Sequence, residues 1–278
     1  MARTKTQKTL LLILSFAAVV VAAAAVIVAI ATRERPEPPP SEPEMPAQTQ
    51  EFSIFPDVPR NTYDKNLFRY HNGYLSYPDA KLGVDVSSHQ DVIDWQKVKK
   101  AGVEFAIIRA AYRGYTGGGL NMDPMFQENL KGAMDAGLRV GVYVFSQAIS
   151  AEEARQEAQL VLDALDGAAL DLPVFFDWEY VEGESRTAAM TGPEITEFAL
   201  AFCSEIEKSG YRPGVYFNVS LGYTALNLSS LKDRTFWLAQ YQDAPDFLLD
   251  FQILQYTDAG RVPGIEGNVD LNLLFNPD

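Results

Sequence analysis

Two carboxylates two positions apart, Asp177 and Glu179, end an otherwise apolar run, Pro173-Val174-Phe175-Phe176-Asp177-Trp178-Glu179. On a β-strand the side chains at i and i+2 point to the same face, with Cα atoms roughly 6–7 Å apart. Two acids held that close titrate as a coupled pair, and one of them can stay protonated near neutral pH. A protonated carboxyl beside an ionised one is what acid-catalysed cleavage of a glycosidic bond requires. Asp85, in Leu82-Gly83-Val84-Asp85-Val86, and Asp270, in Asn268-Val269-Asp270-Leu271-Asn272, complete a candidate ring of acids. Carboxylates at strand ends also cap loops or pair with arginines, and Arg109 is an available partner. For Asp177 and Glu179 that blander role is disfavoured, because same-face acids in an apolar strand are costly.

The elements that must position these acids are legible in the periodicity. Strand-like runs at 82–86, 105–110, 140–145, 173–179 and 213–217 alternate with helical stretches. Asp94 caps the first helix and Gly102 closes it. Ser150-Ala151-Glu152-Glu153 opens a helix reaching about Leu165, and Gly192-Pro193 opens another that Gly210 ends. In that last helix Ile195, Phe198, Ala199, Phe202, Cys203 and Ile206 share one face, so the single cysteine is expected to be a core thiol. Alternation of this kind implies a parallel sheet. Three more runs, 236–241, 251–256 and 269–274, follow too closely for helical crossovers. The expected fold is α/β: an irregular TIM-like barrel of about eight strands and five helices, of (β/α)5(β)3 type, with some antiparallel pairing. Barrel enzymes place their chemistry at the C-terminal ends of strands, where Asp85, Asp177 and Glu179 fall. The stretch Gly114-Tyr115-Thr116-Gly117-Gly118-Gly119 lacks a phosphate-loop lysine and reads as a flexible loop near the cleft mouth.

Ahead of the barrel the composition changes three times. Residues 1–9 carry Arg3, Lys5 and Lys8 and read as a cytoplasmic tail. Leu10 to Ala31 is an uncharged run of 22 residues, long enough to cross a bilayer as a helix. A secretory signal cleaved near Ala31 is the alternative, although signal cores are usually only about 7–15 residues. Residues 32–50 form a Pro/Glu-rich linker that cannot bury a core. Residues 51–80 hold Asn72-Gly73 between aromatic residues, a hairpin signal, and the catalytic domain is expected over 81–278. Basic residues favour the cytoplasmic side. The expectation is therefore a single-pass protein of the cell membrane, with its N-terminal helix in the bilayer and its catalytic domain outside.

Charge and composition exclude other classes. Residues 1–35 hold five basic side chains against one acid, so the remaining 243 residues carry −18 of a formal net charge of −14. So acidic a body repels phosphate backbones and argues against a nucleic-acid partner. One cysteine and two histidines, His71 and His89, argue against an intrachain disulfide and an imidazole-rich metal site. No cofactor or metal is expected, and the chain is expected to be a monomer. A Ser-His-Asp hydrolase built on Ser87 or Ser88 with His89 lacks a nucleophile elbow.

In order along the chain, Gly83-Val84-Asp85-Val86-Ser87-Ser88-His89-Gln90, Ile93-Asp94-Trp95, Phe105-Ala106-Ile107-Ile108-Arg109-Ala110, Asp123-Pro124-Met125-Phe126, Gly141-Val142-Tyr143-Val144-Phe145-Ser146-Gln147-Ala148 and Pro173 to Glu179 form a series. Trp237-Leu238-Ala239-Gln240-Tyr241, Leu254-Gln255-Tyr256 and Val269-Asp270-Leu271-Asn272 continue it. From about Lys81 onward this ordered set resembles the glycoside hydrolase family 25 lysozymes, N-acetylmuramidases that cut peptidoglycan. The resemblance implies a retaining enzyme acting on the β-1,4 bond between N-acetylmuramic acid and N-acetylglucosamine in peptidoglycan glycan strands. It implies Glu179 as the general acid, with Phe176 and Trp178 as an apolar wall. Asp177 would orient the substrate acetamido group or stabilise the cationic intermediate, and Asp85 and Asp270 would bind sugar and tune charge. A direct carboxylate nucleophile and the substrate's own acetamido group both stay open. Arg109, Asp123, Tyr143, Tyr216, Trp237, Tyr241 and Gln255 are the expected substrate contacts, against ordinary barrel packing for the aromatic ones. Val144 departs from the family, many members of which carry a histidine or aromatic there. Two other readings survive the sequence: an inactive wall-binding module, and a hydrolase of a related N-acetylhexosamine polymer such as chitin.

Overall fold

A computed structural model describes residues 55–276. Its first strands, β1 (Arg69–His71) and β2 (Tyr74–Ser76), pair antiparallel around Asn72 and Gly73, both at positive φ. That is the backbone an Asn-Gly hairpin turn demands.

The barrel follows. β3 (Lys81–Val86) leads through α1 (Trp95–Lys100) to β4 (Phe105–Arg113), which folds back on the short β5 (Leu120–Met122). Next come α2 (Phe126–Asp135), β6 (Arg139–Ser146), α3 (Ala151–Leu165), β7 (Val174–Trp178), α4 (Gly192–Lys208) and β8 (Pro213–Asn218). Two short helices, α5 (Val219–Thr224) and α6 (Leu228–Leu231), share the next crossover. β9 (Thr235–Ala239), β10 (Ile253–Gly260) and β11 (Val269–Leu274) close the chain. Seven strands run parallel, β11 runs against both neighbours, and pairing of β3 with β4 closes the cylinder. The (β/α)5(β)3 expectation holds, with the fifth helix split in two.

The helix ends follow from local chemistry. Ser150 accepts from the Glu153 N–H to cap α3, which ends at Asp166 and Gly167 in left-handed conformation. The Glu194 carboxylate accepts from the Thr191 N–H and hydroxyl at the start of α4. Along α4 the stripe from Ile195 to Ile206 is buried, Cys203 included.

Two apolar layers result. One lies between strands and helices. The other fills the cylinder with Phe105, Ile107, Tyr143, Phe175, Tyr216, Trp237, Ile253 and Leu274. Large inner rings face glycines across the ladder: Phe105 opposite Gly83, and Phe175 opposite Gly214. A Cβ at either glycine would lie 2.2–2.3 Å from the opposing ring, so only glycine leaves room.

Strands β10 and β11 have no crossover helix to cover them, and residues 55–80 serve instead. Leu75 and Phe68 are buried in the outer layer. Tyr74 donates to the Arg261 carbonyl just past β10, and Tyr63 stacks at 4.2 Å on Phe275 just past β11. Sequence alone reads 51–80 as a hairpin-containing extension ahead of the catalytic domain. Here it belongs to the same compact unit as the barrel. The expected tail, membrane helix and linker over 1–50 lie outside the described residues. Among the described residues no helix is long and apolar enough to cross a membrane.

Candidate active site

The C-terminal ends of β3 and β7 and the N-terminal start of the antiparallel β11 bring all four expected acids to one end of the barrel. Asp85 on β3 lies directly opposite Asp270 on β11. Asp177 stands on β7 beside Tyr216 of β8, and Glu179 follows one residue past the strand. Asp85 and Asp177 are buried, whereas Glu179 and Asp270 are partly open.

Hydrogen bonds fix Asp85 from two sides. Its Oδ2 accepts from Gln255 Nε2 at 2.9 Å and from Asn272 Nδ2 at 2.7 Å. Gln255 Oε1 in turn accepts from the hydroxyls of Tyr216 (3.1 Å) and Tyr241 (2.9 Å). Asn272 Oδ1 accepts from Trp237 Nε1 at 2.8 Å. Asn272 has no role in the sequence reading, yet it lies two residues from Asp270 on the same strand face, which is the signal that points to it.

Four carboxyls in one low-dielectric site cannot all ionise. Burial pushes Asp85 up to about 6 despite the donated hydrogen bonds. Burial, then the charges of Asp85, Asp258 and Glu179, push Asp270 up to about 8. Glu179 is pushed up to about 7 by burial and by Asp85, against a hydrogen bond from Asp177. Asp177 is raised well above the usual carboxylate range, first by burial, then by Glu179 and Asp85, with Arg109 opposing. Each of the two is thus biased toward its protonated form by burial and by neighbouring acids. Asp177 Oδ1 is buried with no hydrogen-bond partner.

Arg109 is placed by a fault in the sheet. The β4–β6 register shifts between Arg109 and Ala111, a bulge, and the Ala110 carbonyl accepts from the Asp123 N–H. This brings Asp123 Oδ2 within 2.8 Å of Arg109 Nε. Asp123 also accepts from the backbone N–H groups of Ser88 (3.0 Å) and Met125 (2.9 Å), so it reaches the cleft only through Arg109. The Ser88 hydroxyl accepts from Arg109, and the Ser87 hydroxyl accepts from the backbone N–H of His89. Both serines are thus engaged away from the His89 imidazole.

Two expectations shift. Phe176 and Trp178 do not wall Glu179, because strand alternation turns them outward. Phe176 packs 5.3 Å from Phe202 of α4, and Trp178 Nε1 donates to the Ala148 carbonyl. The apolar floor consists of inward residues instead: Trp237 makes edge contacts with Tyr143, Phe175 and Tyr216. Of the four expected aromatic contacts, Tyr143, Tyr216 and Trp237 are buried in that floor, and Tyr241 is 51% exposed. Val144 faces the helix layer, so its departure from the family does not touch the cleft. The glycine-rich 114–119 connection is held by Arg113, which donates to the Gly118 carbonyl, and by the Arg186 N–H, which donates to the Tyr115 carbonyl.

This arrangement sets two carboxyls that favour their protonated forms above an aromatic floor and beside the Arg109 guanidinium. Comparison with known proteins gives it a context. A model of glycosyl hydrolases family 25 matches residues 84–265. The Escherichia coli K12 protein YegX is 32% identical over 70% of this chain and 69% of its own length. The autolytic lysozyme of Clostridium acetobutylicum is 29% identical over 68% of this chain and 54% of its own. The autolysin LytC of Streptococcus pneumoniae, solved with a synthetic peptidoglycan ligand, gives a TM-score of 0.64 at 25% identity, over 75% of this chain and 52% of that one. The chain therefore spans about half the length of the autolytic lysozyme and of LytC. The matched span takes in Asp85, Arg109, Asp177 and Glu179, and by that match the chain belongs to glycosyl hydrolases family 25.

Proposed function

We propose that the barrel is a retaining muramidase that hydrolyses the β-1,4 bond between N-acetylmuramic acid and N-acetylglucosamine in peptidoglycan. The observation that carries this reading is the gathering of Asp85, Asp177, Glu179 and Asp270 at one end of the barrel. Glu179, more open than Asp177, gives its proton to the glycosidic oxygen as the C1–O bond breaks. Asp177 is left ionised beside the positive charge developing at the sugar. In this reading Asp177 orients the acetamido group, whose oxygen attacks C1 and closes a cyclic intermediate. Water then attacks C1, the ionised Glu179 takes the water's proton, and two inversions give retention. Asp85, Asp270 and Arg109 set the charge around the pair. Tyr241 offers an exposed ring with a tethered hydroxyl for sugar contact.

The relatives support the substrate: one is named an autolytic lysozyme, and LytC was solved with a synthetic peptidoglycan ligand. Digestion of purified peptidoglycan and of chitin, with mass spectrometry of the new reducing ends, tests the reading. N-acetylmuramic acid ends from peptidoglycan are expected. N-acetylglucosamine ends, or preference for chitin, would overturn it, and no new ends from either polymer would leave a wall-binding module.

The uncharged run from Leu10 to Ala31 and the Pro/Glu-rich stretch after it support deployment as a membrane-anchored enzyme facing the wall. Protease added to intact cells is expected to degrade the barrel. A barrel that survives until the membrane is permeabilised would contradict that placement.

A further inference from the structure

Glu179 stands just beyond the sheet. The last pairings of β7 are Trp178 with Ser146 of β6 and Asp177 with Tyr216 of β8, so Glu179 itself lies beyond the paired residues. The next rung would set Glu179 against Gln147. There the Gln147 side chain takes the place of the backbone: its Nε2 donates to the Glu179 carbonyl at 2.8 Å and to the Ser146 carbonyl at 2.9 Å.

The far end of the same amide is also committed. Gln147 Oε1 accepts from the Thr187 hydroxyl at 2.9 Å and from the Ser185 hydroxyl at 3.4 Å, and those two hydroxyls lie 2.6 Å apart. Arg186, between them, is held by the Glu153 carboxylate of α3 through two bonds of 2.7 and 2.9 Å. Gln147 is fully buried. Donor and acceptor ends are both used, so its amide has one orientation, and the strand end and the following loop are fixed through it.

We propose that Gln147 is a positioning residue: its side-chain amide extends the β6–β7 ladder by one rung and so fixes the peptide that carries the general acid. This rests on Glu179 being that acid. A carboxyl whose backbone can swivel points at the glycosidic oxygen only part of the time, and misplacement by about 1 Å can cost on the order of 100-fold in rate. The defect expected on removing the amide is therefore in turnover rather than in substrate binding.

The test is steady-state hydrolysis of soluble, uncrosslinked glycan strands by wild type, Gln147→Met, Gln147→Glu and the double variant Ser185→Ala/Thr187→Val, with Tm measured for each. For Gln147→Met, kcat is expected to fall about 10- to 100-fold with KM within about three-fold. Gln147→Glu can donate to the Glu179 carbonyl only when protonated, so its rate relative to wild type is expected to rise from pH 7 to pH 5. The double variant keeps the bond to Glu179 but frees the far end, and a smaller kcat loss at unchanged KM is expected. If Gln147→Met does not fold, the other two variants decide. Wild-type kcat in the variants, a loss carried by KM, or no pH-dependent recovery in Gln147→Glu would overturn the assignment. A wild-type protein that cleaves nothing would instead overturn the muramidase reading.

Discussion

Glu179 differs from a surface glutamate because its neighbours are acids and its floor is aromatic. With its carboxyl pushed up to about 7, it holds its proton below that pH, well above the usual carboxylate range, and can act as an acid there. The alkaline limb of kcat/KM against pH is expected to fall near 7, and Asp85→Asn, which removes a neighbouring negative charge, is expected to move that limb to lower pH. A limb unchanged in Asp85→Asn would show that the two carboxyls do not sense each other. The same burial acts on stability. Asp270 titrates near 4 when unfolded and about 8 when folded, so between those values the folded state binds the extra proton. Its contribution is complete below about 4 and is lost as pH rises through about 8. Tm is therefore expected to fall across that window in wild type and to fall less in Asp270→Asn, a comparison thermal melts at several pH values would make.

At the scale of elements, the barrel has to bury large rings inside a narrow cylinder, and glycines opposite those rings make this possible. Gly83→Ala is expected to cost about 1–3 kcal/mol through overpacking against Phe105. In the double variant with Phe105→Leu much of that cost is expected to be recovered, which denaturant melts of the double-mutant cycle would measure. Strand and helix positions were readable because period-2 runs alternated with capped helical stretches, and Asp-x-Glu on one strand announced the acid pair. Other features left no periodic trace. The bulge after Arg109 depends on how β4 pairs with β6, and it is what hands Asp123 to the guanidinium. The roles of Asn272 and Gln147 arise from contacts between strands far apart in sequence. Phe176 and Trp178 were misassigned for a simpler reason: apolar neighbours in sequence are on opposite faces of a strand.

At the scale of the whole molecule, a barrel with five crossover segments leaves part of its wall bare, and the 55–80 extension covers it. Leu75→Ala, at a buried position of β2, is expected to cost about 2–4 kcal/mol and to lower the single unfolding transition of the whole unit. A barrel transition indifferent to Leu75 would mean that the extension is an appendage after all. The fold as a whole serves to bring β3, β7 and β11 to one rim, where four acids share too few charges. Hydrolysis of purified peptidoglycan by wild type and Glu179→Gln, matched for Tm and compared in one assay of new reducing ends, tests that claim most directly. General acid catalysis is typically worth about 10²–10⁴-fold, so the variant is expected to lose activity on that order while still binding the polymer. Equal release of ends by the two proteins would contradict the assignment of Glu179 and the mechanism built on it.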